Sequence, residues 1–232
     1  MNKQSFFEIS SLGITYSVLA QPIINAKNNL ISSLELLSRS HGVCDPEAYF
    51  ASMSNYSLTM LSCAQIDEAC NVLSNSIIMP KININADQNM IGDIYLMATL
   101  MQYKSHIKIL LEINPFELMD DNDIDKIKRR FDFVKMCGHE LWLDDHDGSK
   151  TGCDNIDLFP WDGVKIDKSV LWSNDFSKLK DIVDFCHQRS MPVTIEGVES
   201  EYLFQQAVKS GADYLQGFYW PMITKADLPN VS

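Results

Sequence analysis

Positive charge is in short supply in this chain. Its 232 residues carry 19 Lys and Arg against 31 Asp and Glu, a net charge of -12. A protein that grips a nucleic-acid backbone over a broad face needs a basic patch, so direct nucleic-acid binding is not expected. The acidity suits solubility, or a protein partner with a basic surface reached by electrostatic steering. A site for phosphate esters would need bound cations to offset the protein's own carboxylates. Long apolar runs are missing too. None approaches the ~20 residues needed to span a bilayer, and Met1-Asn2-Lys3-Gln4-Ser5 does not lead into the apolar segment of a secretory signal. No membrane role is expected. The six cysteines (Cys44, Cys63, Cys70, Cys137, Cys153 and Cys186) form no close pair and have no metal-ligand spacing to a His. They read as reduced thiols in a cytoplasmic protein. Linkers, low-complexity stretches and internal repeats are also absent, so residues 1–232 are expected to form one domain.

What is present is a full core and a repeating scheme. The hydrophobic fraction is 46% and the charged fraction 22%, as in a globular protein. Glu140-Leu141-Trp142-Leu143-Asp144-Asp145 is an apolar run that ends in two carboxylates. Gly163-Val164-Lys165-Ile166-Asp167, Pro192-Val193-Thr194-Ile195-Glu196-Gly197-Val198-Glu199 and Tyr214-Leu215-Gln216-Gly217 repeat that scheme, with helical patterns over 175–189 and 201–210 between them. These are successive βα units of a parallel sheet. Further strands are expected over 80–85 and 107–113, and helices from Asp45-Pro46-Glu47 to about Met53 and over 57–75, 88–103 and 123–136. Residues 13–24 and 30–37 read as a hairpin around the turn 25–29, which places an antiparallel strand at the start. Gly138 and Gly211 end their helices. In a closed βα barrel the polar residues at strand C-terminal ends converge on one face, where active sites sit.

The inward candidates are Glu35, Asn83, Glu112, Asp144, Asp145, Lys165, Glu196, Glu199 and Gln216. Singly, a carboxylate at a strand end is usually solvated or caps a helix, and Lys165 could simply pair with Asp167. Together, oxygen ligands from several strand ends are what Mg²⁺ or Mn²⁺ requires. Two such ions can activate a water and hold a phosphodiester for in-line displacement.

The motifs resemble one family along essentially the whole chain. Leu19-Ala20-Gln21-Pro22-Ile23, Glu35-Leu36-Leu37 with Arg39, Asn83-Ile84-Asn85, Glu112-Ile113-Asn114, Asp144-Asp145, Lys165-Ile166-Asp167, Glu196-Gly197-Val198-Glu199 and Gln216-Gly217 are similar, in order, to the motifs of EAL domains, phosphodiesterases that hydrolyse the bacterial messenger cyclic di-GMP. The resemblance implies a (β/α)8 TIM-like barrel with an antiparallel first strand. By position it implies Glu35, Asn83, Glu112, Asp144 and Asp145 as ligands of Mg²⁺ or Mn²⁺. Lys165, Glu196 and Glu35 would be catalytic, with Lys165 orienting the attacking water. Arg39, Gln216, Glu199 and Asp167 would bind the nucleotide.

The departures concentrate after Asp145. The family has Phe-Gly-Thr-Gly-Tyr-Ser-Ser there, and this chain has His146-Asp147-Gly148-Ser149-Lys150-Thr151-Gly152. Asp147 falls where a Gly would permit a tight turn. Pro115 replaces the second Glu of the Glu-x-Thr-Glu motif, which anchors that loop. Leu36 for Ala and Ser38 before Arg39 are milder changes. The expectation is therefore a degenerate EAL regulator with little or no cyclic di-GMP hydrolysis, acting through a protein partner. Family resemblance points to inhibition of the flagellar master transcription regulator, and so of motility. The alternatives are an active phosphodiesterase that releases linear pGpG, and a receptor that binds cyclic di-GMP without cutting it.

Overall fold

A computed structural model describes residues 5–74, 81–114 and 121–228 of the chain. Nine strands form one sheet in sequence order. They are β1 (Phe7–Ser11), β2 (Ile14–Asn25), β3 (Ile31–Ser40), β4 (Lys81–Asn85), β5 (Ile109–Ile113), β6 (Glu140–His146), β7 (Gly163–Ile166), β8 (Val193–Ile195) and β9 (Tyr214–Gln216). The barrel closes between β2 and β9 through Ile23 opposite Gln216. It therefore contains eight strands, β2 to β9. β2 runs antiparallel to both of its neighbours, and the remaining neighbours pair in parallel. β1 lies outside the closure, antiparallel on the first half of β2. The expected hairpin was right, but β1 itself was not foreseen. Phe7 and Ile9 alternate with exposed Glu8 and Ser10 over too few residues to stand out.

The helices are α1 (Pro46–Ala51), α2 (Asn55–Leu73), α3 (Ile94–Tyr103), α4 (Asp121–Met136), α5 (Lys150–Leu158), α6 (Lys168–Trp172), α7 (Phe176–His187) and α8 (Glu201–Lys209). Side-chain caps set most of the starts. Asp45, Ser54, Asp93, Ser149, Asp167, Asp175 and Ser200 each accept a backbone N–H from the first turn of the helix that follows, satisfying donors that have no intrahelical partner. Asp93 also splits the helix expected over 88–103 into a 3-10 turn at Met90–Gly92 and α3. α5 and α6 were not foreseen, because each is short and begins within a motif. Gly138 and Gly211 take the positive φ expected of them. Pro80 and Pro115 lie outside the described residues.

β5, β7 and β8 are buried on both faces, as parallel strands beneath helices must be. The N-terminal end of the barrel is closed by Trp142. Its ring packs 5.9 Å from that of Tyr214 and takes the space left by Gly163, where an added Cβ would lie 2.6 Å from the indole. The Trp142 N–H donates to Glu140 at 3.0 Å, and Lys81 and Lys108 pair with the same carboxylate. The polar ends of the strands open at the other face, where the main cleft lies.

Candidate metal and phosphodiester site

Side chains two apart on a strand share a face, and this period assembles the site. Glu35 on β3 stands in register with Asn83 on β4, and Asn85 with Glu112 on β5. Lys165 follows Gly163 inward on β7, Glu196 lies just past β8, and Gln216 ends β9. Lys165 is fully buried, with its Nζ 2.7 Å from Glu196, 3.1 Å from Glu112, 3.2 Å from Asp144 and 3.6 Å from Glu35. Asn83 donates to Glu112 at 2.7 Å and Asn85 to Glu35 at 2.9 Å. Gln216 donates to the second Glu35 oxygen.

Adjacent residues on a strand point to opposite faces, so Asp144 and Asp145 should diverge. They do not, because the β6–β7 pairing slips between Leu143 and His146 and Asp145 adopts φ 51°. Asp tolerates this left-handed conformation better than most residues, and bulges of this kind commonly re-aim side chains near active sites. As a result, oxygens of Asp144, Asp145 and Glu196 lie within 4.8 Å of one another.

The electrostatics follow from crowding. Four carboxylates (Glu35, Glu112, Asp144 and Glu196) surround one ammonium, and Asp145 lies beside Asp144. Burial alone would suppress the charge on Lys165, but Asp144, Glu112, Glu196 and Glu35 more than reverse that and hold its pKa well above the usual value. Burial and the charge of Glu35 push Glu112 well above the carboxylate range, against the pull of Lys165. Burial, with Asp144 and Glu35, raises Glu196 to about 7 although Lys165 opposes it. Burial also acts on Glu35, but Lys165, Gln216 and Asn85 outweigh it and leave the pKa lowered. Burial and Asp144 raise Asp145 to about 6. The Asp145 side chain is nevertheless exposed, so solvent damps that effect.

The donor set fits a hard divalent cation. The buried oxygens Asn83 Oδ1 and Gln216 Oε1 have no hydrogen-bond partner. Glu112 Oε2 and Asp144 Oδ1 also lack one and face only the Lys165 ammonium. Inward-turned oxygens of carboxylate and amide type are what Mg²⁺ or Mn²⁺ takes, and unpartnered buried acceptors are otherwise costly. Above the cluster opens a cleft of about 1660 Å³, lined in part by Arg39, Asp145, Asp167, Glu199, Trp172 and Phe218.

The candidate ligand, catalytic and nucleotide-binding residues all border this cluster or its cleft. Arg39 is half-buried, with Nη1 on the Ser38 carbonyl. Asp167 spends a carboxylate oxygen on the Ser169 N–H. Asn85, which donates to Glu35, was not among the candidates, although its period-two spacing from Asn83 was the available signal. Trp172 carried no such signal.

The chain belongs to the EAL domain family, whose model matches residues 15–222. It is 32% identical over 87 residues to the biofilm architecture maintenance protein MbaA of Vibrio cholerae, a match covering 36% of this chain and 11% of that protein. It is 29% identical over 133 residues to the cyclic di-GMP phosphodiesterase PdeA of Borreliella burgdorferi, covering 55% of this chain and 20% of that one. The chain thus spans only a small part of the curated relatives it matches. Among solved structures, the c-di-GMP complex of the PaMucR phosphodiesterase aligns with a TM-score of 0.76 at 21% identity, covering 92% of this chain and 99% of that chain. The manganese/cy-diGMP complex of Klebsiella pneumoniae BlrP1 aligns with a TM-score of 0.75 at 18% identity, covering 90% and 57%. At these identities the likeness establishes the fold. Among the described residues, no helix is long and apolar enough to cross a membrane.

Proposed function

We propose that this chain, as one EAL-like domain, is a divalent-cation-dependent phosphodiesterase that opens cyclic di-GMP to linear pGpG. One observation carries the reading. Glu35, Glu112, Asp144 and Glu196 meet on Lys165 while Asn83 and Gln216 turn unpartnered oxygens inward. The name of the Borreliella relative and the nucleotide complexes of the structural neighbours support the choice of substrate.

Bound Mg²⁺ or Mn²⁺ would supply positive charge to the phosphodiester oxygens and acidify a water. Glu35, Asn83, Glu112, Asp144 and Asp145 would hold it. The Lys165 ammonium would donate to the attacking water and fix its line of approach. Glu196, 2.7 Å from the Lys165 ammonium, would accept a proton as general base. Arg39, Gln216, Glu199 and Asp167 would hold the nucleotide at the cleft wall.

His146 favours a second reading. Its ring is buried with neither nitrogen hydrogen-bonded, a costly support directly beside the paired aspartates. On this reading the domain is degenerate and acts by binding a protein, with a flagellar transcription regulator as the candidate partner and motility as the process. A receptor that holds cyclic di-GMP uncut is the intermediate case.

The deciding experiment incubates purified protein with cyclic di-GMP and Mg²⁺ or Mn²⁺ and follows the linear product. Turnover on the order of 1 per second or faster supports the phosphodiesterase. Binding without product supports the receptor. Neither binding nor product leaves the protein-binding regulator.

A further inference from the structure

Trp172 is held unusually firmly for an exposed aromatic residue. Its Nε1–H donates to the Gly197 carbonyl at 2.8 Å. Gly197 takes φ +75°, and a Cβ there would lie 2.8 Å from that nitrogen and 2.5 Å from the Lys168 Cβ. Only a glycine lets the indole seat against the turn that follows Glu196. The Lys168 Nζ stands 5.9 Å from the centre of the ring. Yet the side chain is 43% exposed, against 4% for Trp142 and 6% for Trp161, and it borders the cleft.

Scattered exposed aromatics are ordinary on protein surfaces. What distinguishes this one is that an N–H bond on one edge fixes a flat apolar surface at the rim of a polar cleft. An indole held in this way loses little rotamer freedom when a ligand covers it, and any nucleobase offers a matching π-face. The carboxylate cluster lies on the barrel axis and its chemistry suits the phosphodiester. The bases must then lie against the walls, where Trp172 is found.

We infer that Trp172 is the stacking platform for a purine base of the bound nucleotide, its orientation set by the hydrogen bond to Gly197. The inference rests on the cyclic di-GMP reading above. Stacking adds affinity for nucleotides and none for a bare divalent cation held by the carboxylates.

The test uses the purified chain with Mn²⁺ and with Ca²⁺, and measures cyclic di-GMP binding by calorimetry and by tryptophan fluorescence. Wild type should show saturable quenching. Trp172→Ala should lose most of it and bind roughly 5- to 150-fold more weakly, the range for removing an aromatic stacking partner. Trp172→Phe, which keeps a ring but not the N–H, should fall between the two. The rise in melting temperature that Mn²⁺ alone gives, with no aromatic ligand present, reads the carboxylate cluster and should be the same in all three. Equal cyclic di-GMP affinity in wild type and Trp172→Ala would overturn the inference and leave the parent reading intact. A parallel loss of the Mn²⁺-induced rise would overturn the inference and assign Trp172 to support of the Glu196 turn instead. Failure of the wild type to bind cyclic di-GMP would overturn the parent reading and this inference with it.

Discussion

Glu196 makes the cation-free protein sensitive to pH in a direction opposite to that of most carboxylates. Its pKa rises from an ordinary 4.5 to about 7 on folding, because burial and the neighbouring charges of Asp144 and Glu35 outweigh Lys165. A group whose folded pKa is raised binds more protons folded than unfolded between the two values, so stability falls as pH rises through that window. Integrating the linkage for this one group gives a loss of about 2.5 kcal/mol between roughly pH 5 and pH 8. Lys165, raised well above its usual value, stays protonated throughout and contributes no slope. Glu35, lowered on folding, adds stability above its unfolded pKa, so the total slope mixes signs. The clean quantity is therefore the difference between wild type and Glu196→Gln. Urea denaturation in chelator should find the two similar near pH 5 and the variant more stable by about 2 kcal/mol near pH 8. Excess Mn²⁺ should reverse the order at pH 8, since cation binding favours the ionised carboxylate. A difference independent of pH would refute the reasoning, because the buried carboxylate would then be no more costly to ionise folded than unfolded.

Other perturbations test the same geometry. Lys165→Met removes the one ammonium facing four carboxylates and should cost about 3–5 kcal/mol in chelator at pH 8. Denaturation should show a smaller loss at pH 5, where Glu112 and Glu196 take up protons, and an equal loss at both would count against the cluster. Glu35→Ala should abolish the rise in melting temperature that Mn²⁺ or Mg²⁺ gives the wild type by mass action, and a rise that persists would place the ions elsewhere. Gly163→Ala sets a Cβ 2.6 Å from the Trp142 ring and should cost about 1–3 kcal/mol by overpacking. Pairing it with Trp142→Leu should recover part of that loss, and strict additivity of the two changes would mean the contact is not what matters.

The barrel was legible because its parallel strands are short apolar runs with one polar residue at the end, as in Gly163-Val164-Lys165-Ile166-Asp167. Burial on both faces demands the first feature, and convergence at the mouth produces the second. The candidate ligands were named through resemblance to a family, and the register sets Glu35 beside Asn83 and Asn85 beside Glu112. What stayed hidden depends on long-range geometry. β1 is held by pairing with β2 rather than by its own pattern. The contact from Trp172 to Gly197 joins residues 25 positions apart. α5 and α6 are too short for periodicity to reveal and show only in their caps, Ser149 and Asp167.

The segment after Asp145 departs from the family motif position by position, yet its residues make contacts of their own. Asp147 stands where a glycine was expected for a tight turn, which suggests a loosened support for catalysis. The left-handed positions of this turn, however, are Asp145 and Gly148. Asp147 instead accepts the Ser149 N–H at 2.8 Å. Ser149 in turn accepts the Gly152 N–H and starts α5. Gly152 leaves room for His146, whose Nδ1 would lie 2.5 Å from a Cβ there, and Gly148 packs against Ile182 in the same way. These substitutions fit one another, as they would in a turn rebuilt around a different ring. A turn held by its own caps and glycines can fix Asp144 and Asp145 as a catalytic site requires. Against that support stands the imidazole of His146, buried with neither nitrogen hydrogen-bonded.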